Sequence, residues 1–165
     1  AHAGRCGAFV RSYSETDDSQ RVADAERACG RALQLNPNLD VVHTALGNLI
    51  RLTGRYAESE SAFKAALAIN DKNVEAMGGL GMTYLRQRKP EAAELVLKQA
   101  IGLQPGNWSA YNDLGGFYYR SGRFAEAAEQ FEYVVGLDLS FFMGLSNLVS
   151  VKMLIGDFDM AILAL

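Results

Sequence analysis

The chain has 165 residues, 49% of them apolar and 21% charged, which is the balance of one folded domain and excludes a disordered segment. Its net charge of −3 provides no domain-wide basic field, so nucleic acid is not an expected partner. The uninterrupted apolar runs are a handful of residues long, so no membrane insertion is expected.

The start, Ala1-His2-Ala3-Gly4-Arg5, lacks the apolar centre of a signal peptide. It does not begin with Met, so the natural start is expected upstream. Residues 3–13 are expected to form a first helix ending near Tyr13. The stretch Ser14-Glu15-Thr16-Asp17-Asp18-Ser19 reads as a lengthened polar turn, with Asp18 or Ser19 capping the next helix. Residues 20–35 predict that second helix, carrying Val22, Ala25, Cys29 and Ala32, with Pro37 beyond its end.

Those positions return 34 residues later as Tyr56, Ser59, Phe63, Ala66 and Asp71. From there the period is explicit. Leu46, Leu80, Leu114 and Leu148 are spaced by it, and Gly47, Gly81 and Gly115 follow the first three. Ile50, Tyr84 and Tyr118 come next, with Lys152 in the fourth unit. Gly54, Gly122 and Gly156 mark a break, with Arg88 standing in once. Tyr56, Pro90, Phe124 and Phe158 open a second segment. It continues with Ser59, Ala93, Ala127 and Ala161, then Phe63, Leu97, Phe131 and Leu165. A fixed period of this length is the mark of a repeat architecture.

Each position has a physical role. Leu114 and Tyr118 lie four residues apart and make an apolar stripe on one helix, while Ala127, Phe131 and Val134 make that of a second. Gly122 supplies backbone freedom for a tight turn between them. Gly115 and Ala127 are small enough for close helix approach. Pro105 ends a second helix, since it has no amide hydrogen and restrains the residue before it. Each unit is therefore helix, turn, helix and short linker. The units are 3–39 (divergent), 40–73, 74–107, 108–141 and 142–165 (incomplete).

The segment from Trp108 to Leu139, with Tyr111, Leu114-Gly115, Tyr118, Gly122, Phe124, Ala127 and Phe131, resembles a tetratricopeptide repeat at nearly every signature position. Segments 40–73 and 74–107 are similar. The resemblance implies an all-α, right-handed superhelical solenoid of antiparallel helix-turn-helix units. It implies a protein–protein interaction scaffold whose first helices line a concave groove for a peptide or partner segment. The alternative is the substrate-recruiting or regulatory region of a larger enzyme or signalling protein, such as a kinase, transcription regulator or glycosyltransferase.

Groove residues expected on this basis are the first-helix side chains outside the packing stripe. These are Thr44, Asn48 and Arg51, then Glu75, Met82 and Arg86. They continue as Asn112, Asp113, Tyr119, Arg120 and Asn147. Asparagine both donates to and accepts from peptide backbone. Arg86 and Arg120 are one period apart and, with Arg51, suit carboxylates on a partner. For any one of these arginines taken singly, a solvated helix end is the preferred reading. One subclass of the family grips a C-terminal carboxylate with lysines and asparagines. Thr44 occupies its lysine position and only Asn48 matches, so a chaperone-tail role is not supported. Another subclass uses an asparagine ladder. That column reads Ala45, Gly79, Asp113 and Asn147, so only the last fits.

No reaction, cofactor or metal is expected. His43 reads as a packed histidine and His2 as part of a terminus. Gly78-Gly79-Leu80-Gly81 falls inside a first helix, not between a strand and a helix as a phosphate loop would. Glu58, Glu60, Glu126 and Glu129 are expected on solvated outer faces. Cys6 and Cys29 are expected to be neighbours, with two buried thiols preferred over a bond. The last unit ends on apolar Ile162, Leu163 and Leu165, where a solenoid needs a polar cap. A longer natural chain is the preferred explanation, and self-association through this open end is the other.

Overall fold

The computed structural model describes Cys6, residues 19–137 and residues 142–157. The described residues hold eight helices and no strand. They are α1 (Ser19–Leu35), α2 (Asp40–Leu52), α3 (Tyr56–Ile69), α4 (Val74–Arg86), α5 (Pro90–Leu103), α6 (Trp108–Arg120), α7 (Phe124–Leu137) and α8 (Phe142–Leu154). The expected helix at 3–13 (Cys6 apart), the turn at 14–18 with its Asp18 cap, the linker through Phe141 and the helix from Phe158 lie outside the described residues.

Local chemistry sets the helix ends. The Asn73 side chain accepts from the Ala76 amide, and that of Asn107 from the Ser109 amide, so each satisfies a free donor of the first turn of α4 or α6. Pro90 opens α5, where its missing amide hydrogen costs nothing. Pro105 lies just past the end of the same helix. Between the two helices of a unit the backbone turns through the left-handed region at Gly54 and Gly122, with φ of 79° and 74°, and Gly156, just past α8, adopts the same conformation at 79°. Arg88 makes the same turn at φ 61°, a conformation that crowds its Cβ.

Successive helices pack as hairpins, α2 on α3, α4 on α5 and α6 on α7. The first helices also touch their counterparts, α2 on α4 and α4 on α6, whereas α3, α5 and α7 do not pack on one another to that extent. The stack therefore curves with its first helices on the inner, concave side. A continuous core runs from Phe63 through Leu80, Leu97, Leu114 and Phe131 to Val151. A smaller cluster of Ala25, Cys29, Ala32, Val42 and Leu49 closes the N-terminal end.

The hairpins are close because a large second-helix side chain sits on a bare first-helix backbone. A Cβ added to Gly47 would come within 2.8 Å of the Phe63 ring; at Gly81 it would meet Leu97 at 2.6 Å, and at Gly115 it would meet Phe131 at 2.7 Å. Phe63 also fills the place of a side chain at Gly79 in the next unit. Ser59, where the later units have alanine, is fully buried. It donates to the Gly47 carbonyl at 2.9 Å and shares a 3.1 Å hydrogen bond with Thr83. Its hydroxyl thus avoids the cost of an unmet buried group.

Two expectations are corrected. Cys6 and Cys29 are bonded as a disulfide rather than held as two thiols. The close packing expected for them is present, and both are fully buried. Glu58 and Glu126 lie on the solvated outer face as expected, and the correction there concerns Glu60 alone. Glu58 and Glu126 pair with Arg55 and Arg123, while Glu60, its side chain only 17% exposed, pairs with Lys64 and Lys89. The outer ends of adjacent units are joined by Glu26–Arg55 (2.5 Å), Glu60–Lys89 (3.2 Å) and Glu94–Arg123 (2.6 Å), one pair per period.

Two substitutions test the packing account. Arg88→Gly relieves the left-handed turn and is expected to stabilise the fold by about 1 kcal/mol in urea unfolding. Gly115→Val forces a methyl group into the Phe131 ring and is expected to destabilise it by about 1–3 kcal/mol.

Candidate functional site

A cavity of about 440 Å³ opens on the concave face. All four first helices among the described residues contribute to it. Arg51 comes from the last turn of α2 and Met82 from α4; Asn112, Asp113, Gly116, Tyr119 and Arg120 come from α6, and Asn147 and Ser150 from α8. Phe131 of α7 reaches its floor past the small residues of α6. Seven expected groove residues therefore share one cavity: Arg51, Met82, Asn112, Asp113, Tyr119, Arg120 and Asn147.

Three of the remaining four lie beside it. Arg86 and Arg120 line a neighbouring hollow with Leu85 and Arg88. Asn48 donates to Glu75 at 3.4 Å, which joins α2 to α4 along the same face. Thr44 is the exception and is corrected here. It is 1% exposed, donates to the Asp40 carbonyl at 2.9 Å and accepts from Asn73 at 3.2 Å. Its short side chain fills the junction between two units and offers nothing to a ligand.

The cavity concentrates charge. The Arg51 Nε is buried and has no hydrogen-bond partner. Burial, with the nearby Arg120 and Arg86 cations, pushes the Arg51 guanidinium below its ordinary value, opposed by the Asp113 carboxylate. The solvated-surface reading therefore does not hold for Arg51. Arg86 and Arg120 are exposed, as that reading has it. Asp113 is pushed up to about 6 by burial and by the nearby Glu75, against the pull of Arg51. Its carboxylate occupies the space that a side chain at Gly78 would take. The Asn147 side-chain amide donates to the side-chain oxygen Oδ1 of Asn112 at 3.1 Å. That bond leaves the Asn112 amide hydrogens and the Asn147 oxygen as a donor and an acceptor side by side.

On the outer face, the hydrogen bonds and charge of Arg123 and Lys98, with a hydrogen bond from Tyr118, hold Glu94 down to about 2. His43 is half-buried and its ring nitrogen pairs with the Pro37 carbonyl at 2.9 Å, a packing role. Gly78 to Gly81 lie inside α4. No group of metal-ligating side chains occurs among the described residues. No helix among them is long and apolar enough to cross a membrane.

The sequence reading missed the pairing of charges between units. Its signal was present, because an acid is followed by a base 29 residues later in three successive units (Glu26 and Arg55, Glu60 and Lys89, Glu94 and Arg123).

Stacked antiparallel helix pairs with a concave, side-chain-lined face define a helical-repeat solenoid. The chain belongs to the tetratricopeptide-repeat family, whose models match residues 38–105 and 79–138, and its repeats form a scaffold for protein–protein interaction. It is 25% identical over 143 residues to anaphase-promoting complex subunit 3 of Schizosaccharomyces pombe, covering 87% of this chain and 22% of that one. It is 32% identical over 94 residues to a probable UDP-N-acetylglucosamine–peptide N-acetylglucosaminyltransferase, SPINDLY, of Arabidopsis thaliana, covering 57% of this chain and 10% of that one. Among solved structures it resembles a thermophilic tetratricopeptide-repeat protein of Thermus thermophilus, with a TM-score of 0.74, 17% identity and coverage of 92% and 91%. It likewise resembles MamA, with a TM-score of 0.69, 23% identity and coverage of 88% and 85%. These structural likenesses bear on the fold alone.

The charges predict opposite pH effects. Glu94 is lowered in the fold, so its contribution is complete above an ordinary glutamate value of about 4.5 and is lost as pH falls towards about 2. Glu94→Gln should cost about 1 kcal/mol or less at neutral pH and flatten acid unfolding. Asp113 is raised, so the fold binds its proton more readily than the unfolded chain. Stability from this group grows as pH falls from about 6 towards 3.8. Asp113→Asn should stabilise the fold near neutrality by on the order of 1 kcal/mol. Urea unfolding across pH checks both.

Proposed function

We propose that the concave cavity is a binding groove for an extended peptide segment of a partner protein, and that these residues bind rather than catalyse. The observation that carries the reading is the convergence of seven groove side chains, from four successive first helices, on one cavity of about 440 Å³. Its polar groups suit peptide recognition. The free edge of the Asn112–Asn147 pair matches the alternating N–H and C=O of an extended backbone. Met82 and Tyr119 supply apolar surface beside it.

A second reading keeps the groove and places it in a larger protein, as the substrate-recruiting or regulatory region of an enzyme or signalling protein. It is favoured by the chain's spanning only 22% and 10% of the relatives named above. The length of the full gene tests it.

The groove reading is tested by affinity capture. Wild type is compared with Asn112→Ala/Arg120→Ala and with the outer-face control Glu129→Ala. The double variant should lose partners that the control retains. Identical partner sets for all three would contradict the groove assignment.

A further inference from the structure

We propose that the cavity selects an acidic side chain, Asp or Glu, within the extended peptide, with Arg51 and Arg120 taking its carboxylate beside the internal anion Asp113. The inference rests on the groove reading above and adds the chemistry of the partner.

The first support is the state of Arg51. Its Nε is buried and makes no hydrogen bond. A buried cationic donor left unpaired is costly, and a carboxylate is the group that matches a guanidinium in charge and geometry. Asp113 opposes the charge through space but makes no hydrogen bond to Arg51. It occupies instead the space that a side chain at Gly78 would take. The cavity thus holds a cation with an unmet donor beside an anion that does not meet it.

The second support is the balance of charge. Arg51, Arg86 and Arg120 lie close enough to lower the affinity of Arg51 for its proton. Facing them are Asp113 and Glu75, and Glu75 already accepts from Asn48. The concave face is locally positive on a chain whose net charge is −3. An entering carboxylate meets an excess of cations.

The third support concerns position along the ligand. Polar groups continue on both sides of the arginines, with Asn48 and Glu75 between α2 and α4, and Asn112 and Asn147 between α6 and α8. A segment laid along this row passes through the cavity rather than ending in it. That favours an acidic side chain over a terminal carboxylate.

Asp113 makes binding proton-linked. Its charge is felt by Arg51 from α2 and Glu75 from α4; Arg120 of α6 and neutral Asn147 of α8 line the same cavity, and Arg86 of α4 lines the neighbouring hollow. Two carboxylates beside one guanidinium repel, so the ligand's arrival raises the affinity of Asp113 for a proton. Asp113 in the free protein titrates at about 6. Binding should therefore strengthen as pH falls from about 7.5 to about 5.5, a range in which the ligand's own carboxyl stays ionised.

The test is fluorescence anisotropy with three mixtures of labelled random-sequence peptides. One has blocked ends and a fixed central Glu, one has blocked ends and a central Gln, and one has central Gln with a free C-terminal carboxylate. The Glu mixture should bind about tenfold tighter than the blocked Gln mixture, and tighter at the lower pH. Arg51→Met should abolish the difference. Should that variant fail to fold by circular dichroism, Arg120→Met at an exposed position makes the same test. Asp113→Asn should tighten binding of the Glu mixture several-fold at about pH 7.5 and flatten its pH dependence, which a merely structural residue would not do. Equal binding of the two blocked mixtures overturns this proposal and leaves the groove reading standing. So does preference for the free terminus, or weaker binding of the Glu mixture by Asp113→Asn. Binding of none of the mixtures overturns both.

Discussion

The structure depends on one contact made three times: a large second-helix side chain resting on a first-helix glycine. Phe63 rests on Gly47, Leu97 on Gly81 and Phe131 on Gly115. A methyl group at any of these glycines would overlap the partner unless the helices separated. Dispersion and apolar burial along this line make a continuous core from short helices that have little stability alone. Phe63 extends the principle, since it also fills the space over Gly79 and so ties one unit to the next. The ion pairs at the outer ends of adjacent units add orientation at small energetic cost or gain.

The same constraint places the groove. Because first helices approach one another and second helices diverge, side chains from α2 to α8 converge on the concave side. Arg51 and Asp113 are 62 positions apart in the chain numbering, yet each perturbs the other's ionisation. Neither position is special within its own helix. Curvature gives them a shared low-dielectric setting, in which an unmet guanidinium donor becomes a recognition feature rather than a surface charge.

The repeat was legible in the amino-acid sequence because its packing positions demand particular residue types. Only glycine fits beneath Phe131, and a left-handed turn favours Gly122, so those choices recur at a fixed period. Arg88 shows the limit, since the break was readable there from its neighbours and not from the residue itself. Groove positions were readable as a set from the helical register. Their individual states were not, because those depend on contacts between units. Thr44 looked like a groove residue until Asn73 of the following linker closed over it. Glu60 looked solvated although Lys89, in the next unit's turn, reaches it. The Cys6–Cys29 bond depended in the same way on a detail of geometry that proximity alone does not settle.

The central claim is that recognition belongs to the concave side chains that this packing brings together. Chemical-shift mapping tests it directly, with isotope-labelled protein titrated with the blocked peptide mixture carrying a central Glu. The account predicts shifts concentrated at Arg51, Asn112, Asp113, Arg120 and Asn147, with α3, α5 and the exposed face of α7 unmoved. Shifts confined to that outer layer, with the concave residues silent, would contradict it.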